Sequence, residues 1–340
     1  MSKLLVIIGI TGNQGGSVAA RFLRDPTGTY RIRGVTRDPS SPRSLALAAR
    51  GVEMVRADLD DAASLAAALA GAALVFSVTD YWEPFFRPDD RATAAALGIS
   101  RREHAGRVEE RRGRNVADAA AATVASLDAN GFVASTLSDA EGCSGGEMRE
   151  LYHFDAKARV FPRYVAERWP ALAAKISCVQ TGFFVSSYRL APQAYFSKAA
   201  DGTFEMRFPM APEKPVPHLD VNADMGSFVY AVAQLPPGGS YMAEGTTCSW
   251  SEYMRLWSEV TGKPARYRQV SLQQMIDESP DKEFGREVGD MFLYSSAPGY
   301  DGGDHSLLRA EDIRKLGVDC PMTSLEDWMR KEDWSTVLSN

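Results

Sequence analysis

The feature that most constrains the fold is a hydrophobic run followed at once by three evenly spaced glycines. Residues 4–8 are Leu-Leu-Val-Ile-Ile, and Gly9, Gly12 and Gly15 follow. A continuous run of aliphatic and β-branched residues is typical of a strand that is buried on both faces of a parallel sheet. A helical pattern begins at Val18. The sequence therefore predicts a strand, a glycine turn and a helix in that order.

A strand-to-helix turn of this composition favours the binding of a pyrophosphate. The first backbone N–H groups of a helix have no partner within it, and the helix dipole adds partial positive charge there. The three glycines would allow the tight turn, the close approach of phosphate and the packing of helix on strand. For an isolated motif the alternative is a turn without a ligand.

The same alternation of strands and helices continues along the chain. Further strands are predicted at 31–37, 52–59, 73–79, 131–137 and 175–180. The longest helical patterns cover 94–124 and 151–169. Strands that alternate with helices are joined by right-handed crossovers into a doubly wound parallel sheet. We therefore predict an α/β Rossmann fold.

The composition changes after the sixth strand, which predicts two regions of unequal size. Residues 1–182 would form the dinucleotide-binding domain, and 219–247 would return to it. Residues 183–218 and 248–340 carry many aromatic residues and prolines. We expect them to form a smaller, mainly helical domain that covers the substrate.

The charge of the chain argues against a nucleic-acid partner. The formal net charge is -6, whereas a nucleic-acid-binding surface needs a basic face. Basic residues do cluster at 107–114, but Glu109 and Glu110 interrupt them. Mixed charges of this kind are typical of a solvated helix face, which we expect here.

The cysteines and the hydropathy pattern indicate the cellular compartment in which the protein works. Four cysteines lie far apart without ligand spacing, which fits reduced thiols and predicts no metal site. No apolar stretch is long enough to span a bilayer. We expect a soluble, cytoplasmic protein.

The end of the second predicted strand indicates which dinucleotide is bound. NAD-binding units usually carry an acidic residue there for the ribose 2′-OH, whereas this chain has Thr36 and Arg37. A guanidinium pairs with a 2′-phosphate in bidentate fashion, and a carboxylate would repel it. Arg37 therefore predicts NADP(H), the alternative being a solvated surface charge. Asp58 and Leu59, at the end of the third strand, are predicted to lie near the adenine.

The fourth predicted strand leads into an aromatic segment. Tyr81, Trp82, Phe85 and Phe86 follow it directly, at the sheet edge where ligands bind in such folds. Ligand pockets are commonly lined by aromatic side chains. These four residues are candidates for a wall of the nicotinamide and substrate pocket. The alternative is that they pack beneath a loop.

Several stretches together resemble the NmrA-like family of atypical short-chain dehydrogenases/reductases, which includes nitrogen-metabolite-repression regulators. They are GITGNQGGSV at 9–18, TRDP at 36–39, VFSVTD at 75–80, GRNVADA at 113–119, HFDAKA at 153–158, GYDGG at 299–303 and KEDWS at 331–335. The resemblance spans nearly the whole chain. It implies an NADP(H)-preferring Rossmann domain with a small C-terminal domain over the cofactor.

The resemblance also implies roles for individual residues. The implied cofactor contacts are Thr11, Asn13, Gln14 and Arg37 at the phosphates, Thr79 and Asp80 beside the cofactor, Lys157 at the nicotinamide ribose and Phe183 at the ring. Phe184 is a further candidate for the substrate pocket. Ser135 or Thr136, at the end of the fifth strand, stands where a typical reductase keeps the serine that polarises a carbonyl, and Ser135 is also a candidate cofactor contact.

The catalytic motif of short-chain reductases is altered in this chain. The usual Tyr-x-x-x-Lys places both side chains on one helix face. Here His153 lies four residues before Lys157, and the tyrosine is Tyr152. A displacement of one residue turns a side chain by about 100° around a helix, so Tyr152 is poorly placed for the usual role. His153 or Lys157 could protonate an alkoxide. The alternative for His153 is a structural role at the helix start.

Two functions follow from these residues. The first, which we favour, is an NADPH-dependent reductase that transfers hydride to a small aromatic or conjugated carbonyl or quinone-type compound. The second is a non-catalytic NADP(H)-sensing regulator, for which the missing tyrosine argues. A protein partner or a homodimer is compatible with either function.

Overall fold

The chain is organised around one parallel sheet of seven strands in a computed structural model that describes residues 2–339. Met1 and Asn340, the outer limits of the two predicted regions, lie outside the described residues. The strands, numbered along the chain, are β1 (Lys3–Ile8), β2 (Tyr30–Thr36), β3 (Glu53–Arg56), β4 (Leu74–Ser77), β5 (Phe132–Thr136), β6 (Ile176–Thr181), β7 (Phe183–Phe184), β8 (Ser197–Lys198), β9 (Phe204–Phe208), β10 (Pro215–Leu219), β11 (Ser240–Ala243), β12 (Thr246–Ser249) and β13 (Ala265–Gln269).

The helices are named in the same way. They are α1 (Asn13–Phe22), α2 (Pro42–Ala48), α3 (Ala62–Leu69), α4 (Trp82–Phe86), α5 (Pro88–Leu97), α6 (Arg101–Ala122), α7 (Ala140–Cys143), α8 (Tyr152–Ala158), α9 (Val165–Arg168), α10 (Pro170–Ala173), α11 (Pro192–Tyr195), α12 (Val221–Val232), α13 (Trp250–Thr261), α14 (Leu272–Glu278), α15 (Lys282–Tyr294), α16 (Ala310–Lys315), α17 (Leu325–Lys331) and α18 (Ser335–Leu338). None of these helices is both long enough and apolar enough to cross a membrane.

The order of the strands creates a crevice at one edge of the main sheet. The order is β11-β6-β5-β4-β1-β2-β3, and neighbouring strands are parallel. The strand order reverses at β1: β2 and β3 are added on one side of it, and β4 and the later strands on the other. Ligands bind at such switch points, outside the carboxyl ends of the strands. The predicted doubly wound fold is confirmed.

Helices cover both faces of this sheet. One face packs against α1 and α12, and the other packs against α3 and α6. Between α1 and α12, Gly226 N donates to Ser17 Oγ at 2.9 Å. A Cβ atom at Gly226 would lie 2.7 Å from the carbonyl carbon of Ser17, so only glycine permits this approach. The segment 219–247 thus contributes both a covering helix and the edge strand β11.

The remaining region lies around a second core that is rich in aromatic side chains. Phe183, Trp250, Trp257 and Phe292 are buried in it. Helices dominate this part of the chain, as predicted. It also contains two three-stranded sheets, in the orders β12-β10-β7 and β13-β9-β8, which the sequence analysis did not anticipate.

Both long predicted helices are interrupted. Gly98, with a φ angle of +67°, ends α5 in the left-handed conformation, and Ser100 caps α6 through a 3.0 Å hydrogen bond from Glu103 N. In the second helix Phe161 leaves helical geometry (φ −119°, ψ 106°) immediately before Pro162. Proline lacks an N–H group and disfavours a helical residue before it, which explains this break.

Candidate functional site

The glycine turn after β1 leaves a helix N-terminus without a side-chain cap. Gly9 has a φ angle of +71°, and a Cβ atom at Gly15 would lie 2.6 Å from the carbonyl carbon of Gly9. The helix begins at Asn13, earlier than the predicted Val18, with Gly12 as its N-cap. Gly12 has no side chain that could cap the first N–H groups of the helix. These groups therefore remain available to an anion.

Two arginines lie beside this turn. Arg37, whose side chain is 57% exposed, donates from Nη1 to Glu83 Oε1 at 2.9 Å. Because β1 lies between β2 and β4, this ion pair spans the carboxyl edge of β1. Arg43, which the sequence analysis did not single out, donates from Nη1 to Thr11 O at 3.1 Å. The mouth of the turn therefore carries two guanidinium groups.

The predicted site residues Thr79 and Lys157 meet at a buried carboxylate. Thr79 Oγ1 donates to Glu109 Oε1 at 2.7 Å, and Lys157 Nζ forms an ion pair with the same oxygen. Lys157 Nζ also lies 3.4 Å from Thr79 O. The Glu109 side chain is fully buried and that of Lys157 is 12% exposed. The lysine is therefore held at the end of β4.

The face of α6 that carries Arg107, Arg111 and Arg114 is exposed, as expected for 107–114, but two charged residues of this segment depart from that expectation. Glu109 is buried, and so is Arg112, which donates to Asp60 Oδ2 and to Glu83 Oε2 at 2.8 Å each. The physical reason is that α6 packs against both α3 and α8, so the charged residues on its inner face, Glu109 and Arg112, are buried and paired. We call Thr79, Glu109 and Lys157 the β4-edge cluster.

His153 is anchored by a second buried carboxylate, which comes from α15. Glu287 Oε1 accepts from the backbone N of His153 at 2.9 Å and lies 2.7 Å from its Nδ1. Glu287 Oε2 accepts from Arg102 Nε at 2.7 Å. Burial raises the pKa of Glu287, but the His153 hydrogen bonds and the Arg102 charge outweigh this, and its pKa lies below the ordinary range. His153 and Lys157, four residues apart on α8, share a helix face.

The aromatic segment after β4 is a helix rather than a loop. Asp80 Oδ1 accepts from Trp82 N at 2.9 Å and so starts α4. Tyr81 and Phe85 are buried, which fits the packing alternative. The ring centroid of Trp82 lies 5.3 Å from that of His153. This part of the segment therefore borders the proposed proton donor.

Comparisons with known proteins bear directly on this site and fold. The NmrA-like family matches residues 1–329. The chain belongs to the NmrA-like family. The resemblance seen in the sequence is confirmed.

Among its relatives is the NmrA-like family domain-containing oxidoreductase malD of Malbranchea aurantiaca, 25% identical over 99% of this chain and 98% of the relative. An 87-residue stretch is 44% identical to the NmrA-like oxidoreductase hkm9 of Aspergillus hancockii, but it spans only a quarter of either chain, 26% and 25% respectively.

Two solved structures illustrate the shared fold. NmrA, a negative transcriptional regulator in complex with NADP, has a TM-score of 0.69 and 18% identity, and the match covers 97% of this chain and 95% of that one. The Citrobacter sp. triphenylmethane reductase complexed with NADP(H) has a TM-score of 0.64 and 16% identity, with 96% and 99% covered. Relatives of this fold thus include a regulator and a reductase.

In this NmrA-like chain Tyr152 packs away from the β4-edge cluster. A Cβ atom at Gly106 of α6 would lie 3.0 Å from the Tyr152 Cβ, so the two helices are closely apposed there. The Arg102 guanidinium carbon lies 5.6 Å from the centre of the Tyr152 ring. Burial raises the pKa of Tyr152. The tyrosine therefore differs in position and acidity from the tyrosine of the usual motif.

The two phenylalanines after β6 face different cores. Phe183 is buried in the aromatic core, with its ring centroid 5.2 Å from that of Trp250. Phe184 packs against the main-sheet core instead. The two rings, both predicted to lie near the ligand, are therefore buried in separate cores.

Three further residues predicted to contact the cofactor, Asp58, Leu59 and Ser135, lie near the ends of β3 and β5. Asp58 Oδ1 accepts from Asp60 N at 2.9 Å, and Leu59 O accepts from Asn115 Nδ2 at 2.7 Å. Ser135 is buried near the end of β5. Within residues 2–339, no group of three or more acidic, histidine or cysteine side chains is arranged to hold a metal ion.

Sequence reasoning missed Arg43, Glu109 and Glu287. For Glu109 a signal existed, since Glu109, Val116 and Ala120 follow helical spacing and all three are buried. Glu287 lies 134 residues from His153, and no local pattern connects them. Its role emerges only when α15 packs against α8.

Proposed function

We propose that this NmrA-like protein is an NADP(H)-dependent oxidoreductase that reduces an aromatic or conjugated carbonyl or quinone-type compound. One observation carries the proposal: the uncapped glycine turn follows β1, the β4-edge cluster follows β4, and β1 and β4 are neighbouring parallel strands. The names of the oxidoreductase relatives and the NADP(H) complex of the Citrobacter reductase support it.

The residues at the glycine turn fit a dinucleotide. The uncapped N–H groups of α1 suit a pyrophosphate, and buried Gln14 Oε1 at the same helix start lacks a partner within the described chain. Arg37 and Arg43 would hold the 2′-phosphate. Release of Arg37 would not leave Glu83 unpaired, because its other oxygen accepts from Arg112. Exchanging Glu83 for a cofactor phosphate as the partner of Arg37 should therefore cost little free energy.

Binding and proton transfer fall to different residues of α8. Bound NADPH supplies the hydride. Lys157, held by Glu109 and by Thr79 O, would bind the nicotinamide ribose. His153 has its Nδ1 engaged by Glu287, which leaves Nε2 as the nitrogen that holds and releases the proton. Trp82 and Phe183 would exclude water around the substrate.

Calorimetry and turnover together test this proposal. NADP⁺ and NADPH should both bind to the purified protein, and NADPH should be consumed with at least one member of a panel of quinones, enones, ketones and triphenylmethane dyes. His153→Asn should lower kcat by at least about tenfold while the Kd for NADPH changes little. Absence of binding at millimolar cofactor would refute the dinucleotide site.

A second candidate function is a non-catalytic NADP(H) sensor. It is favoured by one observation, the packing of Tyr152 against α6 instead of beside Lys157. A sensor should bind NADP⁺ and NADPH with different affinities, should turn over no compound in the panel, and should bind a protein partner in a manner that depends on the cofactor's redox state. Turnover that depends on His153 would exclude this candidate.

A further inference from the structure

One oxygen atom of the β4-edge cluster is buried without a partner. Glu109 Oε1 serves both Thr79 and Lys157. Glu109 Oε2 is buried and has no hydrogen-bond partner within the described chain. A buried carboxylate oxygen without a donor is costly. The missing donor would come from a bound group that the chain itself does not supply.

The position of this oxygen narrows the kind of donor. The cluster lies just beyond β4, and Ser77 Oγ, in the last residue of β4, is a second buried polar atom without a partner among the described residues. The residue after Ser77 borders the glycine turn, because a Cβ atom at Gly9 would lie 2.8 Å from Val78 Cγ1. The two atoms therefore lie at the part of the β4 edge that is next to the glycine turn. A phosphate is disfavoured there because a fully buried carboxylate would repel it. A neutral donor remains.

A hydroxyl group matches both partners that the cluster presents. Its hydrogen can be donated to Glu109 Oε2, and its oxygen can accept from the Lys157 ammonium. An amine would be repelled by Lys157, and a carbonyl has no hydrogen for the carboxylate. A ribose diol offers two hydroxyl groups side by side, so it can serve the carboxylate and the ammonium together.

We infer that Glu109 is a cofactor-binding residue whose Oε2 accepts a hydrogen bond from a hydroxyl of the nicotinamide ribose. The inference rests on the proposed function, since it requires the dinucleotide to lie along the edge from β1 to β4. Glu109 then has two tasks. It positions the Lys157 ammonium through Oε1 and binds the ribose through Oε2.

Two ligands, one with and one without the nicotinamide ribose, distinguish a contact between Glu109 and that ribose from a general loss of affinity for the dinucleotide. Adenosine 2′,5′-bisphosphate contains the 2′-phosphate half of NADP⁺ and lacks the nicotinamide ribose. Glu109→Gln should weaken NADP⁺ binding by at least about tenfold in calorimetry and leave the bisphosphate within about twofold of wild type. Glu110→Gln is the matched control because its carboxylate pairs with Arg114 and Arg159, and both ligands should bind it as they bind wild type.

A cofactor analogue tests the individual contact. NADP⁺ whose nicotinamide ribose carries hydrogens in place of its hydroxyls should bind wild type about tenfold more weakly than NADP⁺ does. The penalty of Glu109→Gln should be several times smaller with this analogue than with NADP⁺. The wild-type measurement does not depend on how the variant folds. An analogue that binds wild type as tightly as NADP⁺ would overturn the inference.

The possible failures are distinguishable. If wild type binds neither NADP⁺ nor the bisphosphate, the proposed function fails. If wild type binds both and Glu109→Gln weakens both equally or neither, the function stands and the inference about Glu109 is wrong.

Discussion

Arg37 is the residue at which the cofactor preference can be measured most directly. Its guanidinium lies just beyond β2 and forms an ion pair with Glu83, which a cofactor phosphate could replace. Arg37→Ala should weaken NADP(H) by about 1.5–3 kcal/mol, since a charged hydrogen bond is lost, while NAD(H), which lacks the 2′-phosphate, should lose far less. Arg31→Ala is a control, because Arg31 lies on the same strand, pairs with Glu53 and is 53% exposed. Equal losses for both cofactors would remove the basis for NADP(H).

The glycine turn gives a second prediction about single residues. A Cβ atom at Gly15 meets the carbonyl carbon of Gly9 at 2.6 Å, whereas a Cβ atom at the adjacent Gly16 lies 3.6 Å from Ile10 O, an ordinary contact. Gly15→Ala must therefore push α1 away from β1, and NADP⁺ affinity should fall by at least about tenfold. Gly16→Ala should bind NADP⁺ nearly as wild type does. Similar affinities of the two variants in calorimetry would contradict the proposed cradle.

Single residues also show where prediction from the sequence ends. The glycines and Arg37 are predicted from their places at the ends of strands, and Thr79 and Lys157 from the resemblance to the family. The structure brings Thr79 and Lys157 together, with Lys157 Nζ 3.4 Å from Thr79 O. The helical spacing of Glu109 with Val116 and Ala120 marks a buried position, but the partners of its carboxylate come from other elements, so its role could not be predicted from the sequence.

One buried arginine, Arg102, links α6 to two carboxylates of α15. The Arg102 side chain is 6% exposed and pairs with Glu287 and Asp290, which are 0% and 7% exposed. Arg102→Ala should lower the free energy of unfolding by about 3–5 kcal/mol, because two buried carboxylates lose the guanidinium that they share. Arg107→Ala, on the same helix but 62% exposed and paired only with Glu103 at the surface, should cost less than about 1 kcal/mol. Denaturant titration compares the two, and equal costs would mean that the buried ion pairs are unimportant.

Elements were predicted well where the periodicity was strong. The strands of the main sheet, with the exception of the edge strand β11, were all recognised, since uninterrupted apolar runs mark buried parallel strands. Helix ends were predicted less well. Gly98 and Pro162 lie inside sequences that otherwise favour a helix. The pattern at 94–124 therefore did not reveal the C-cap at Gly98, and the pattern at 151–169 did not reveal the break before Pro162. The short strands β7, β8 and β12 are fixed by their partners in space, and no local pattern marks them.

The two regions of the molecule meet at His153. α8 packs against β5 of the main sheet and against α6, whereas Glu287 comes from α15, whose Met291 and Phe292 lie in the aromatic core. The same carboxylate binds Arg102 of α6. A proton donor assembled in this way would be correctly oriented only when both regions are docked. Folding of the C-terminal region and readiness of the site are therefore coupled.

The pH dependence of the whole fold gives the last prediction, through Asp155. This carboxyl is completely buried, and burial, helped by the nearby charge of Asp139, raises its pKa from 3.8 to about 6. Between these values the native state binds more protons than the unfolded state, so stability falls as the pH rises through the window. About two pKa units correspond to about 3 kcal/mol.

Asp155→Asn removes this titration, and the remaining acceptor can still bind Glu141 N, which lies 3.1 Å from Asp155 Oδ1. The stability of the variant minus that of wild type should therefore increase by about 3 kcal/mol from about pH 4 to about pH 7, as measured by denaturant unfolding at each pH. Asp201→Asn should give the opposite trend, because hydrogen bonds from Thr203 hold the pKa of exposed Asp201 below 3.8 and its stabilisation is lost in acid. A pH-independent difference for Asp155→Asn would show that this carboxyl titrates normally in the folded protein.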